Sequence, residues 1–131
     1  MEQDKIARIA ANGSGPKIAL FGIDRADPAL APLGFDLSEA THQDVRQVAS
    51  GHMAAIDKNL VICTLFSTPD APHNDAISVI ELLVNVGFLG ELVVLAPPLL
   101  RPKMVEGELR GLAKGISLRF VAGALPPLSE I

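Results

Sequence analysis

The feature that most constrains this chain of 131 residues is a set of short, almost unbroken aliphatic runs. They occupy residues 17–23, 59–66, 91–96 and 117–121, and they read KIALFGI, NLVICTLF, ELVVLA and SLRFV. A strand that is apolar on both sides suits the middle of a parallel sheet, because both faces of such a sheet are covered. Together with a weaker run at residues 35–41, the pattern predicts five strands.

Amphipathic patterns between these runs predict three helices, at residues 44–58, 74–87 and 102–115. In the second helix we expect Asn74 to be the N-cap and Ile77, Ile80 and Val84 to form the buried stripe. Pro28 and Pro32 interrupt the first connection, so any helix there must be short or irregular.

The alternation of strands and helices predicts an α/β fold with one doubly wound, five-stranded parallel sheet and right-handed crossovers. We expect residues 1–16 to form an N-terminal helix and linker, and residues 17–131 to form the domain. Few residues follow the fifth strand, so a fifth helix is expected to be missing or truncated. Functional groups in such a fold lie at the carboxyl ends of the strands.

Composition excludes several classes of protein. The net charge is −4 and no basic cluster occurs, so neither nucleic acid nor an anionic membrane is an expected partner. The single cysteine, Cys63, excludes an internal disulfide and a cysteine-based zinc cluster, and it fits a cytoplasmic protein. Polar residues, glycines and prolines divide the apolar stretch at residues 76–100, so we expect no transmembrane span there.

Three segments resemble the receiver domains of two-component response regulators. "LVICTL" resembles the third strand of that family, "GFLGELVVLAPP" its fourth strand, and "LRFVAGALPPL" its fifth strand with the following turn. The resemblance covers roughly residues 17–128 and implies a flavodoxin-like sheet with the strand order 2-1-3-4-5. It also implies the positions at which a receiver keeps its phosphorylation chemistry.

At those positions this chain lacks the residues that the chemistry needs. The phosphoacceptor aspartate of the family falls on Thr64, the switch hydroxyl on Ala96 and the conserved lysine on Pro126. Of the acidic pair that holds Mg²⁺ in a working receiver, only Asp24 lies near the expected place. The resemblance therefore predicts a degenerate, non-phosphorylatable receiver, or pseudo-receiver.

Other polar residues offer weaker candidates for a site. Asp24, Asp27 and Asp70 could form a residual acidic pocket, although loop aspartates more often cap turns. Cys63 should be a packing residue that points away from Thr64 across the sheet. The three histidines, His42, His52 and His73, show no metal-ligand spacing, and we expect neither a metal nor a cofactor.

The leading hypothesis is therefore a regulatory or protein-interaction module of bacterial-type signal transduction, not an enzyme. Its partner would be another protein or further domains of a longer chain. Two alternatives stay open: a flavodoxin-like domain that binds a small molecule or nucleotide, and an enzyme that uses the loop aspartates.

A homodimer, or two copies that exchange their N-terminal segments, is also expected, because two helical covers of the sheet look deficient. The first connection is broken by prolines and no fifth helix follows Leu128, so one patch of the sheet should lack a cover. We expect Ile18, Leu20, Leu118 and Phe120 to contribute to that patch.

Overall fold

The structure is a computed structural model that describes residues 17–46, 59–67 and 74–125. Its centre is a five-stranded sheet in which every pair of neighbouring strands is parallel. The strands are β1 (Ile18–Phe21), β2 (Thr41–Gln43), β3 (Leu60–Thr64), β4 (Glu91–Ala96) and β5 (Ser117–Ala122). Among the residues that the structure describes, the connections contain two complete helices, α1 (Ala76–Asn85) and α2 (Pro102–Leu112), and a 3₁₀-helix (Pro28–Leu33).

The order of the strands is β2-β1-β3-β4-β5. This order confirms the predicted topology and defines a flavodoxin-like α/β fold. The register places Ala19 of β1 beside Thr41 on one side and Val61 on the other. Because the aliphatic strands β1, β3 and β4 are central, their side chains are buried on both sides of the sheet, as their composition predicts.

One side of the sheet, which we call the helical face, is covered by α1 and α2. The strands contribute alternate residues to it, among them Phe21, Val61, Cys63 and Val94. From the helices come Val79, Ile80 and Leu83 of α1 and Leu109 of α2. Pro102 occupies the start of α2, where its missing N–H costs no hydrogen bond.

The other side, which we call the crossover face, is covered by the irregular connection between β1 and β2. Ile18, Leu20 and Ile62 point to this side from the strands. Leu30 of the 3₁₀-helix is buried against them, and Leu33, Phe35 and Leu37 are packed there in part. The connection between β1 and β2 therefore covers this face through apolar contacts. As expected from its prolines, it contains a 3₁₀-helix in place of an α-helix.

The prediction that four residues form one bare patch of the sheet is wrong. Ile18 and Leu20 belong to the crossover face, whereas Leu118 and Phe120 belong to the helical face, because alternate strand residues point to opposite sides. Ile18, Leu20 and Leu118 are already buried within one chain. The homodimer itself stays a prediction, but these four residues do not form one surface.

Two local predictions are also wrong. The second strand comprises Thr41–Gln43 and not residues 35–41, since Phe35 and Leu37 turn onto the crossover face instead of pairing with β1. In α1 the N-cap is Asp75, one residue after Asn74. Of the predicted buried stripe, Ile80 is buried as expected, but Ile77 and Val84 are 48% and 37% exposed, and Val79 and Leu83 take the other buried positions.

The turn before β4 admits only glycine at Gly90. A Cβ atom there would clash with the carbonyl oxygen of Asn59, which already accepts a hydrogen bond from the backbone N–H of Glu91.

Several predicted segments lie outside the described residues: the N-terminal helix and linker at residues 1–16, most of the helix expected at 44–58, and the segment after Leu125. Among the described residues, no helix follows β5.

Candidate functional site at the carboxyl edge of the sheet

The carboxyl ends of β1 and β3 converge with the segment that leads into α1. Gly22, which follows β1, adopts a φ of 75°, a backbone conformation that favours glycine. A Cβ atom on Gly22 would lie 3.2 Å from the Cβ of Asn74 and 3.7 Å from the Oγ1 of Thr64. Gly22, Thr64 and Asn74 therefore meet at one point, and no space remains between them for a larger side chain on β1.

Thr64, which the resemblance places at the phosphoacceptor position, uses its hydroxyl in a hydrogen bond within the chain. The Oγ1 donates a hydrogen bond to the backbone carbonyl of Phe66 at 2.8 Å, and the residue is only 6% exposed. The backbone of Thr64 also forms an isolated parallel bridge with Asp75. A hydroxyl that is buried and already engaged in this way is poorly placed to accept a phosphoryl group or to bind a ligand.

Asn74 is the residue that closes this edge. It is 2% exposed, and its Oδ1 accepts a hydrogen bond from the backbone N–H of Val45 at 2.9 Å. Its Nδ2 lies 3.5 Å from the Oδ2 of Asp44. Val45 begins a helical turn after β2, so the amide of Asn74 supplies an acceptor to one of the first N–H groups of that turn. These contacts, which we call the Asn74 clamp, join the segment before α1 to the segment after β2.

The charge of Asp44 is balanced within the same cluster. Partial burial on its own would raise the pKa of the Asp44 carboxyl. Hydrogen bonds from the backbone of Arg46 and the amide of Asn74, together with the charge of Arg46, outweigh that effect and hold the pKa below its ordinary value. Asp44 therefore stays ionised as a partner of its neighbours.

The described aspartates of the possible acidic pocket, Asp24 and Asp27, each accept a hydrogen bond within their own turn. Asp24 accepts a hydrogen bond from the backbone N–H of Ala26, and Asp27 accepts one from that of Ala29, each at 2.8 Å. Asp27 thereby caps the 3₁₀-helix. Both carboxylates perform the local capping that is common for loop aspartates. Asp70 lies outside the described residues, and among those described no three acidic, histidine or cysteine residues form a group that could hold a metal ion.

Ala96, which the resemblance places at the switch-hydroxyl position, lies at the end of β4 and is fully buried. Its carbonyl oxygen accepts a hydrogen bond from the backbone N–H of Leu125 at 3.2 Å, so the chain after β5 returns over the end of β4. Pro126, the residue at the lysine position, lies outside the described residues. Nothing at Ala96 can report a modification through a hydroxyl group.

Cys63 and His42 take structural roles. Cys63 is fully buried on the helical face, opposite Thr64 as expected, and burial raises the pKa of its thiol strongly. The Nε2 of His42 accepts a hydrogen bond from the backbone N–H of Arg25 at 3.3 Å. His52 and His73 lie outside the described residues.

A groove of about 680 Å³ opens between the 3₁₀-helix and the chain that follows β5. Its lining consists of residues 27–29, 32–33 and 121–125. Apart from the carboxylate of Asp27, the side chains that line it are apolar. Its volume falls within the range of small-molecule sites in proteins.

Two parts of this edge were missed by sequence reasoning. Asn74 was identified only as a helix cap, although the sequence Asn74-Asp75-Ala76-Ile77-Ser78 contains a better one, since Asp75 and Ser78 are spaced as a capping pair. With Asp75 as the N-cap, Asn74 is not needed to cap the helix and can make a different contact. The groove carries no sequence signal, because its two walls are almost a hundred residues apart along the chain.

Comparison with protein-family models, with curated proteins and with solved structures found no match to this chain. Across the described ranges, no helix has both the length and the apolar character that are needed to cross a membrane. The fold class is therefore assigned from the order and direction of the strands, and the candidate site from the contacts between its residues.

Proposed function

We propose that this chain is a pseudo-receiver: a receiver-like domain that accepts no phosphate and acts as a regulatory or protein-interaction module in bacterial-type signal transduction. In this proposal it works in the cytoplasm, without a cofactor, and its partner is another protein or a further domain. The resemblance of the strand segments to receiver domains supports the class, and the parallel sheet of order β2-β1-β3-β4-β5 is compatible with it.

The observation that carries the proposal is the closed edge at Thr64. In a working receiver the end of the third strand offers a carboxylate to a bound cation and to the incoming phosphoryl group. Here the hydroxyl of Thr64 is engaged with Phe66, and Asn74 fills the space above Gly22. The chemical group and the open space that phosphoryl transfer needs are both missing at this point.

The Asn74 clamp also supports a module with one resting conformation. Because Asn74 holds Val45 and the segment before α1 together, the loops around the former acceptor position are joined directly. A domain of this kind would present a constant surface to its partner, with no dependence on phosphate.

Phosphorylation is tested by incubating the purified chain with acetyl phosphate and Mg²⁺ and then measuring the intact mass. We expect no covalent phosphoryl adduct on the wild-type chain, while an active receiver treated in parallel gains one. Thr64→Asp and the double variant Thr64→Asp/Asn74→Ala should also stay unmodified, because neither restores the lysine or the switch hydroxyl.

A near-stoichiometric adduct on the wild-type chain would overturn the proposal. If Thr64→Val abolished that adduct, Thr64 would be the acceptor, and the closed edge would have to open in solution. An adduct that persists in Thr64→Val would place the modified residue elsewhere and would equally contradict the proposed role.

A second candidate function is the binding of a small apolar molecule, which the groove favours. Of the described residues that line it, only Asp27 is charged, so the phosphate groups of a nucleotide would find no cationic partner there. Titration with small neutral aromatic compounds, followed by NMR of the amides of Ala29, Leu33 and Ala124, tests this function. Saturable shifts confined to these residues would support it, and their absence would leave the pseudo-receiver as the better reading.

A further inference from the structure

The two edge strands of the sheet differ in how well they are protected against pairing with another chain. At one edge, β2 has only three residues, all of them polar. At the other edge, β5 has six residues, SLRFVA, with Leu118, Phe120 and Val121 among them. Within the described parts of the chain, β5 pairs with β4 alone, and it contains no proline. Such an edge is a template for a further strand.

The hydrogen bonds to β4 show which backbone groups of β5 face outward. The N–H of Ser117 donates to the carbonyl of Gly90 at 3.1 Å, so Ser117 faces β4. Because residues of a parallel strand alternate between its two neighbours, Arg119 and Val121 also face β4. The N–H and C=O groups of Leu118, Phe120 and Ala122 therefore point away from the sheet.

The one charge on β5 is held within its own chain. The guanidinium of Arg119 lies 3.3 Å from the carboxylate of Glu91 and 5.8 Å from the centre of the Phe35 ring. Both partners belong to the same chain and draw the side chain over the crossover face. A charge often protects an edge strand from pairing, but here contacts with Glu91 and Phe35 hold the side chain back over its own sheet.

We propose that β5 pairs antiparallel with β5 of a second copy of this chain, about a two-fold axis at Phe120. In that register Phe120 lies opposite Phe120 of the second copy, and Leu118 lies opposite Ala122. All three residues have outward-facing N–H and C=O groups, so each facing pair exchanges two hydrogen bonds, as antiparallel hydrogen-bonded pairs do. The two five-stranded sheets become one sheet of ten strands.

Charge and side-chain pairing favour the register with the two-fold axis at Phe120 over the register with the axis at Arg119. If the axis passed through Arg119, two guanidinium groups would face each other across the strands, which is destabilising. With the axis at Phe120, each Arg119 faces Val121 of the second copy, and two aromatic rings meet at the centre. Each copy carries a net charge of −4, so salt should strengthen the association by screening the repulsion.

Oligomeric state is measured by sedimentation velocity of the full chain from micromolar to millimolar concentration. We expect a dimer whose fraction rises with concentration and with salt. Ala122→Pro removes an outward N–H that β4 does not use, a position at which edge strands tolerate proline. This variant should stay monomeric at every concentration and keep its circular dichroism spectrum. Ala122→Thr retains the N–H group and should still form the dimer.

Cysteine cross-linking tests the register independently of Ala122→Pro. Facing residues of a hydrogen-bonded antiparallel pair have Cα atoms about 5.5 Å apart, within reach of a disulfide. Phe120→Cys should therefore give a disulfide-linked dimer on mild oxidation. Two copies of Ala122→Cys would lie about 14 Å apart, at about 3.4 Å per residue, and should not cross-link. Native Cys63 is buried and does not compete.

Three results would overturn the proposal: a wild-type chain that is monomeric throughout, a dimer that persists in folded Ala122→Pro, or equal cross-linking of Phe120→Cys and Ala122→Cys. The second would place the interface elsewhere. The third would show collisions without a fixed register.

Discussion

The two faces of the sheet are buried by different means. On the helical face, α1 and α2 present regular stripes, and Val79, Ile80 and Leu83 are completely buried. On the crossover face, the described connection between β1 and β2 buries Leu30 with a 3₁₀-helix and irregular chain in place of an α-helix. Apolar side chains at suitable intervals can therefore cover a parallel sheet even where prolines prevent a regular helix. The difference also raises the question of whether the two covers are equally rigid.

The largest expected effects on the free energy of unfolding concern one leucine on each face. Leu83→Ala on α1 should lower the free energy of unfolding by about 4 kcal/mol, and Leu30→Ala in the 3₁₀-helix by about 2.5 kcal/mol. Both leucines are buried, but 3₁₀ hydrogen bonds have poorer geometry, so the crossover can collapse further into the space that is left. Equilibrium unfolding in urea measures both values. Equal losses would mean that the irregular cover is as rigid as the helices.

Removal of the N-cap residue from each cover should lower the free energy of unfolding by a smaller amount than removal of the leucines. The carboxylate of Asp75 accepts hydrogen bonds from both the N–H and the hydroxyl of Ser78, at 3.1 and 3.0 Å, whereas Asp27 accepts one from Ala29. We expect Asp75→Ala to cost about 1.5 kcal/mol and Asp27→Ala about 0.7 kcal/mol in urea unfolding. The corresponding asparagine variants keep an acceptor and serve as controls. A greater loss at Asp27 would reverse the comparison.

The smallest pair of effects concerns one glycine on each cover, and the two should have opposite signs. Gly107 lies inside α2 with open space where a Cβ would be, so Gly107→Ala should stabilise the domain by about 0.5 to 1 kcal/mol. Gly34 ends the 3₁₀-helix at a φ of 77°, so Gly34→Ala should cost about 1 kcal/mol. Thermal unfolding followed by circular dichroism gives both shifts. A stabilising Gly34→Ala would show that this turn relaxes without strain.

Much of the fold could be predicted from the sequence because its central strands are aliphatic on both sides. Glu91–Ala96 was predicted with the bounds that the structure has, and β5 differs by one residue. The prediction of β2 was less successful. Thr41–Gln43 is short and polar and becomes a strand because it pairs with β1, whereas Phe35 and Leu37 look more strand-like but pack on the crossover face.

The candidate site was predictable only in part. Thr64 and Ala96 were expected at the carboxyl edge, and both lie at the ends of their strands there. Asn74 was assigned to the wrong task, because the contact between its amide and Val45 joins residues that are far apart along the chain. For Asp24 and Asp27 the sequence favoured the capping of turns over a residual acidic pocket, and each accepts a hydrogen bond within its own turn.

The parallel α/β sheet follows from the amino-acid sequence alone, since period and composition along a strand reflect how it is buried. The sequence also places Thr64 and Ala96, neither of which carries a carboxylate, at the carboxyl ends of two strands. Only the tertiary structure decided how the proline-containing connection covers the crossover face, that Asn74 closes the carboxyl edge, and which groups of β5 point outward. Each of these depends on contacts between distant residues, and local pattern carries no record of such contacts.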